Sequence, residues 1–243
     1  MEEKVIYEVL RVINGKAVFL EAHIKRMENS FELIGEDFPL KYDDIYLKIS
    51  ELIKRENKSI GNIKLTYSLY AKEFKVFFVP HSYPTKEMYE KGVKTILYFG
   101  ERTNPNAKII NDEFRNKVNI EINKNNAFEA ILVDRNGFIT EGSKSNIFMV
   151  KGNELITSPV KAVLPGVTRG EIIELAQKNG IIVREEEFSY KDIYKLDGMF
   201  ISGTSPKVLP INKAGEVNLN PQNDIIKKIS NEYNKEIEKY LCK

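Results

Sequence analysis

Three short segments concentrate the residue types that can do chemistry. Thr140-Glu141-Gly142-Ser143-Lys144-Ser145-Asn146 sets one carboxylate among small hydroxyl residues, in what reads as a tight turn between two strands. The same composition also fits an ordinary polar β-turn. Leu164-Pro165-Gly166-Val167-Thr168-Arg169 leads into a helix start, where free amides and the positive end of the helix dipole suit a phosphate. Most capped helices bind nothing, however, and Thr168-Arg169-Gly170-Glu171 has the pattern of a capping box. Phe200-Ile201-Ser202-Gly203-Thr204-Ser205-Pro206 ends a strand in small hydroxyl residues, which could donate to the same anion or simply turn the chain.

Those segments need strands and helices to hold them. Residues 5–13 are rich in β-branched side chains, Asn14-Gly15 is the favoured two-residue turn, and Ala17-Val18-Phe19 returns, so the chain opens with a hairpin. Ile24, Met27, Phe31 and Ile34 recur at helical steps and predict a helix over 22–34, stopped by Gly35. A second helix is predicted over 43–55, burying Ile45, Ile49 and Leu52 or Ile53, and 63–70 with 74–79 form a hairpin around Lys72-Glu73. Pro80-His81-Ser82-Tyr83-Pro84 resists both helix and central strand and is the natural linker. Beyond it, 130–133 and 147–150 read as strands flanking the Asn136-Gly137 turn, with Leu155-Ile156 extending the sheet. The helix opened by Thr168 runs to Gly180, strands follow at 181–183 and 198–202, and Ile225, Ile226, Ile229, Tyr233 and Ile237 mark a closing amphipathic helix.

Composition removes several classes of function. Lys+Arg 37 against Asp+Glu 35 leaves a formal charge of +2, and the basic residues are scattered, so neither nucleic acid nor an anionic membrane is indicated. One cysteine, Cys242, and two histidines leave few ligands for a His/Cys metal cluster and no disulfide framework. The N-terminus has no signal-peptide pattern and no apolar run reaches the roughly 20 residues of a membrane span, so a cytoplasmic protein is expected.

In this order the three chemical segments closely resemble the class IV, or fold-type IV, pyridoxal-phosphate family, which includes branched-chain and D-amino acid aminotransferases and aminodeoxychorismate lyase. The family's Glu-Gly-Ser-x-Ser-Asn-x-Phe turn matches Glu141 to Phe148, its Leu-x-Gly-(Ile/Val)-Thr-Arg helix start matches Leu164 to Arg169, and its Gly-Thr turn matches Gly203-Thr204. His23-Ile24-Lys25-Arg26-Met27 with Ser30 looks like the family's His-x-x-Arg-(Leu/Met) stretch, and Tyr7-Glu8-Val9 resembles the segment that lines its substrate pocket. The resemblance implies an α/β (α+β) architecture of two domains. A smaller N-terminal α/β sandwich would span 1–82, and a larger, barrel-like C-terminal α/β domain, 86–243, would carry the lysine and most cofactor contacts.

The resemblance also implies roles. Lys108, in Asn106-Ala107-Lys108-Ile109-Ile110-Asn111, resembles the Schiff-base lysine, which reacts only as a neutral amine; desolvation beside a cationic group favours that state. Glu141 would face the pyridine nitrogen of the cofactor and keep it protonated. Arg26 would clamp the cofactor phosphate as a forked donor. The amides of Val167 and Thr168, the hydroxyls of Thr168 and Thr204, and Ser205 beside them would complete the clamp. Tyr7 and Val9 would line the substrate pocket, and His23 reads as a packing or supporting residue.

The activity so implied is amino-group transfer between an amino acid and a 2-keto acid, in a homodimer using pyridoxal 5'-phosphate and no metal. Two alternatives remain at this stage: an aminodeoxychorismate-lyase-like enzyme releasing pyruvate, and a shortened, non-catalytic cofactor-binding homologue. The D-amino acid type carries an Arg-x-His pair after its second hairpin, and 72–82 here has none. The branched-chain type places a tyrosine shortly after its lysine, where this chain has Asp112, Glu113 and Phe114. Neither substrate type is singled out.

Overall fold

Alternation along Val5–Ile13, strand β1, decides how the first sheet packs. Ile6, Glu8, Leu10 and Val12 are fully buried on one face, while Tyr7 and Val9 lie on the other. The computed structural model describes residues 4–242. Asn14 and Gly15 both adopt left-handed backbone (φ 52° and 75°), the primed turn expected from the sequence, and β2 (Lys16–Ala17) returns. Helices α1 (Leu20–Glu32) and α2 (Tyr42–Glu56) fall within about two residues of their predicted bounds. Strands β3 (Gly61–Ser68) and β4 (Glu73–Val79) complete an antiparallel sheet of order β2-β1-β3-β4. The apolar face of that sheet is covered by the helices: Ile6, Leu10, Ile63 and Leu65 pack with Ile24, Met27, Phe31, Ile45, Ile49 and Leu52. Each such side chain contributes about 1.5–3 kcal/mol of apolar burial.

The remaining elements are α3 (Lys86–Lys91), β5 (Val93–Phe99), α4 (Asp112–Lys124), β6 (Glu129–Val133), β7 (Phe138–Gly142), β8 (Asn146–Lys151) and β9 (Glu154–Thr157). They continue with α5 (Val167–Lys178), β10 (Ile182–Glu185), β11 (Phe188–Ser189), β12 (Gly198–Gly203), β13 (Lys207–Ala214), β14 (Val217–Asn218) and α6 (Asp224–Cys242). The strands form one sheet of order β10-β9-β8-β12-β13-β5-β6-β7-β11, with β14 beside β13. Strands β7 and β8 are joined by the short turn 143–145 yet stand far apart in that order, so the sheet must curl on itself. Gly142 N donating to Ser145 O at 2.8 Å closes the turn. Strands β6, β8 and β12 are buried nearly throughout, as strands covered on both faces must be. Ile131, Ile147, Met149, Ile201 and Leu209 pack on one side of the sheet, while Ala130 and Leu132 meet Val118 and Ile122 of α4 on the other. The predicted mixed α/β class is what the chain adopts, and the larger sheet is curled.

The chain divides into two compact units, Met1–Ser82 with Asn106–Ile110 and Glu236–Lys243, and Tyr83–Pro105 with Asn111–Lys235. The segment carrying Lys108 therefore groups with the first unit, whereas the sequence reading assigned it to the C-terminal domain. The cause is backbone pairing that no local pattern reveals: Tyr7 N donates to Lys108 O (3.1 Å), Ile110 N donates to Val5 O (3.1 Å), and Ile6 bridges Ile109. Two local expectations are also corrected. Glu141 lies on strand β7, ahead of the turn, because a bulge between the 131 and 133 partners lets pairing continue to Gly142. Thr168 does not cap α5; the cap position is Gly166, which offers no side chain, and Thr168 is already inside the first turn.

Candidate active site

In the first unit, β1 presents two chemically distinct faces. On the core face Glu8 sits among aliphatic residues with no access to water, and such an ion needs a partner. Helix α1 supplies two from one side, His23 and Arg26, spaced three residues apart. Arg26 donates through Nε to Glu8 Oε1 (2.8 Å) and through Nη2 to Oε2 (2.5 Å), while His23 Nδ1 lies 2.8 Å from Oε2. Burial alone would raise the Glu8 carboxyl, but the Arg26 charge and the hydrogen bonds from Arg26 and His23 outweigh it and hold it at about 2. Burial pushes the His23 imidazole below its usual value, against the pull of Glu8. An ionised Glu8 only accepts, so Nδ1 of neutral His23 carries the proton between them. The fork expected to grip a phosphate thus faces Glu8 through Nε and Nη2.

On the opposite face Tyr7 is buried and Val9 half-buried. Lys108 Nζ lies 4.7 Å from the centroid of the Tyr7 ring, and Lys64 Nζ, from β3, lies 5.0 Å from it. The backbone of Lys108 is fixed at both ends, its carbonyl accepting from Tyr7 N and its amide donating to Ser30 Oγ (3.3 Å), which in turn donates to Arg26 O (3.0 Å). Of the residues singled out in the sequence, the first unit holds Tyr7, Val9, Arg26 and Lys108, with the Lys108 amine against Tyr7 and Arg26 bound to Glu8 on the core face of β1.

The second unit holds the others. Glu141 is buried at the end of β7, with Oε2 accepting from Leu164 N (3.0 Å) and Oε1 from Arg102 Nη1 (3.2 Å). Asn146, at the start of β8, donates through Nδ2 to Leu164 O (2.9 Å), and its Oδ1 approaches Gly166 so closely that a Cβ there would collide with it. Only glycine fits, and the chain then enters α5 with no side-chain cap on the amides of its first turn. Ser202 stands directly across from Asn146 in the β8–β12 ladder, and β12 then gives way to the turn containing Thr204 and Ser205. Hydrogen bonds thus join Glu141 to Leu164 and Leu164 to Asn146, just ahead of Val167 and Thr168 in the chain, while Thr204 and Ser205 follow the strand that pairs with Asn146.

A second buried acid supports this neighbourhood. Glu129 Oε1 accepts from Lys144 N (2.6 Å) and from Ser143 Oγ (3.2 Å), bracing the turn that follows Glu141. Burial pushes its carboxyl above the ordinary value, against the downward pull of those donors and of Ser145. A Cβ at Gly142 would strike Ser145 Oγ and Glu129 Oε1, so the glycine after Glu141 is required by packing.

Arg102 was missed by sequence reasoning, because it lies in an irregular segment and its partner is distant along the chain. Glu8 left a readable signal: a lone carboxylate at a core position of an alternating strand, needing a cation. Among the described residues no helix is long and apolar enough to cross a membrane, and no group of His, Cys, Asp and Glu is placed to hold a metal ion.

The profile of the family described as amino-transferase class IV matches residues 5–214. The "Putative branched-chain-amino-acid aminotransferase" of Methanocaldococcus jannaschii is 30% identical over 249 residues, covering 94% of this chain and 85% of that protein. The D-alanine aminotransferase of Bacillus licheniformis is 27% identical over 220 residues, covering 85% of this chain and 77% of its own length. Among solved structures, the branched-chain aminotransferase of Thermoproteus uzoniensis, crystallised with norvaline, superposes with a TM-score of 0.86 at 23% identity, covering 98% of this chain and 88% of that one.

Proposed function

Because the chain belongs to the class IV aminotransferase family, we propose that Lys108 is the amine that holds its pyridoxal phosphate and moves the proton during amino-group transfer. The protein is a pyridoxal-phosphate-dependent aminotransferase. Its donor set fits the cofactor's phosphate: the opening amides of α5 carry no side-chain cap, Thr168 adds a hydroxyl, and Ser202 Oγ is buried with no partner among the described residues. When bound, the cofactor supplies an electron-accepting ring that shares the charge left at the substrate's α-carbon.

The chain's own groups then divide the work. Lys108, as a neutral amine, would take the α-proton from the amino acid and hand it back during the transfer, one base serving both steps. Glu141 holds a proton at the ring nitrogen, oriented by Leu164 N on one oxygen and Arg102 on the other. Val167 and Thr168 amides, with the Thr168, Thr204 and Ser205 hydroxyls, bind the phosphate, and Arg26 adds positive charge. Tyr7 and Val9 border the substrate. The working form is a cytoplasmic homodimer, and sedimentation giving an active monomer would contradict that.

What supports the lysine assignment most directly is its anchoring, with the backbone fixed by Tyr7 and Ser30 and the amine 4.7 Å from an aromatic centroid. Titrating the protein with pyridoxal phosphate should develop a visible absorption band that an amino acid donor bleaches and a 2-keto acid restores. Lys108→Ala should develop neither the band nor the cycle. The same band in that variant would refute the assignment, and pyruvate release without amino-group transfer would favour the lyase reading.

A further inference from the structure

Helix α6 touches the anion cradle through two consecutive residues. Tyr233, buried on its inner face, donates through its hydroxyl to Thr168 Oγ1 at 3.3 Å, and both side chains are removed from solvent. Asn234, the next residue, accepts from Lys207 Nζ at 2.8 Å. Lys207 ends the turn that carries Thr204 and Ser205, and its backbone is left-handed (φ 54°), a conformation that a side chain other than glycine adopts only when its surroundings enforce it. One turn of α6 therefore grips both segments assigned to the phosphate, at the start of α5 and at the end of β12.

We infer that Tyr233 is a positioning residue for the cofactor's phosphate, acting through the hydroxyl of Thr168. The inference rests on the cradle reading above. Its physical basis is proton bookkeeping at one oxygen. A threonine hydroxyl has a single proton and two lone pairs. When the Tyr233 proton occupies one lone pair, the proton of Thr168 is turned away from Tyr233 and becomes available to an anion, and a donor that is itself accepting a hydrogen bond is strengthened. Removing the phenol leaves Thr168 Oγ1 buried with its rotation unset, so the anion loses a prepared donor and keeps the backbone amides. Asn234 does the corresponding task for the neighbouring turn by restraining Lys207.

The test compares two ligands that differ by the phosphate alone. Full-length protein, freed of cofactor, is titrated with pyridoxal phosphate and with pyridoxal; both present the same aldehyde to Lys108, so their difference isolates the phosphate. Tyr233→Phe, which keeps the buried ring, should raise the dissociation constant for pyridoxal phosphate about fivefold to tenfold, the value of one hydrogen bond, and move that for pyridoxal less than twofold. Thr168→Val should show the same selectivity with a larger loss, and adding Tyr233→Phe to it should cost nothing more. If Thr168→Val is selective and Tyr233→Phe is silent, or weakens both ligands equally, the role of Tyr233 is refuted while the cradle stands. If Thr168→Val fails to discriminate the ligands, the cradle reading falls and takes this inference with it.

Discussion

The two units bury carboxylates in opposite ways. In the first, Glu8 meets a guanidinium and an imidazole, and its carboxyl is held at about 2. In the second, Glu129 meets an amide and hydroxyl groups, and burial pushes its carboxyl above the ordinary range. Burial sets the size of the energetic problem and the partner decides its sign. A buried cation makes the acid a permanent anion at the centre of a charged network, whereas neutral donors leave desolvation dominant. Glu141 combines both kinds of partner, a backbone amide on one oxygen and Arg102 on the other.

The contrast can be broken most forcefully at Glu8. Glu8→Gln leaves the Arg26 charge buried without its counter-ion, and urea unfolding should record a loss of about 3–5 kcal/mol. A loss below about 1 kcal/mol would mean the network is not the anchor of its unit. Acid should act on the same pair. Because the folded carboxyl titrates well below its ordinary 4.5, its stabilisation is complete above that pH and disappears as the pH falls toward about 2. The difference corresponds to about 3 kcal/mol. Stability measured against pH should decline through that window and do so less steeply in Glu8→Gln.

Activity should separate Glu141 from both other acids. Glu141→Gln keeps the shape but cannot hold a proton at a ring nitrogen, so kcat should drop about a hundredfold or more while cofactor affinity changes little. An unchanged kcat would remove Glu141 from the chemistry. The smallest effect is expected at Glu129. Glu129→Gln keeps an acceptor for Lys144 N and strands no cation, so unfolding should register a cost of about 1 kcal/mol. A cost equal to that at Glu8 would erase the distinction between the two kinds of burial.

How much of this could be read in advance follows the range of the interactions. The Asn14-Gly15 turn, helices α1 and α2 and the closing helix were legible because their signals are local: turn chemistry and helical spacing of Ile24, Met27 and Phe31. Strands β5 and β13 and helix α4 were not assigned. β5 gains its place only by parallel pairing with β6 and β13, and α4 buries little beyond Val118 and Ile122. Glu141 was identified by its neighbours in sequence, yet its position on a strand depends on a bulge against β6. Thr168 was legible as part of a helix start, but its partner Tyr233 comes from the other end of the unit's sequence. The same holds for Arg102 and Glu141, and for the joining of Asn106–Ile110 to β1. Long-range pairing fixed all of them.

The central claim is that the amine at position 108 is the one that bonds the cofactor. Borohydride reduction of the protein loaded with pyridoxal phosphate, followed by peptide mapping, should place a single phosphopyridoxyl group on Lys108. A group on any other lysine, Lys64 included, or a loaded protein that borohydride leaves unlabelled, would contradict the account.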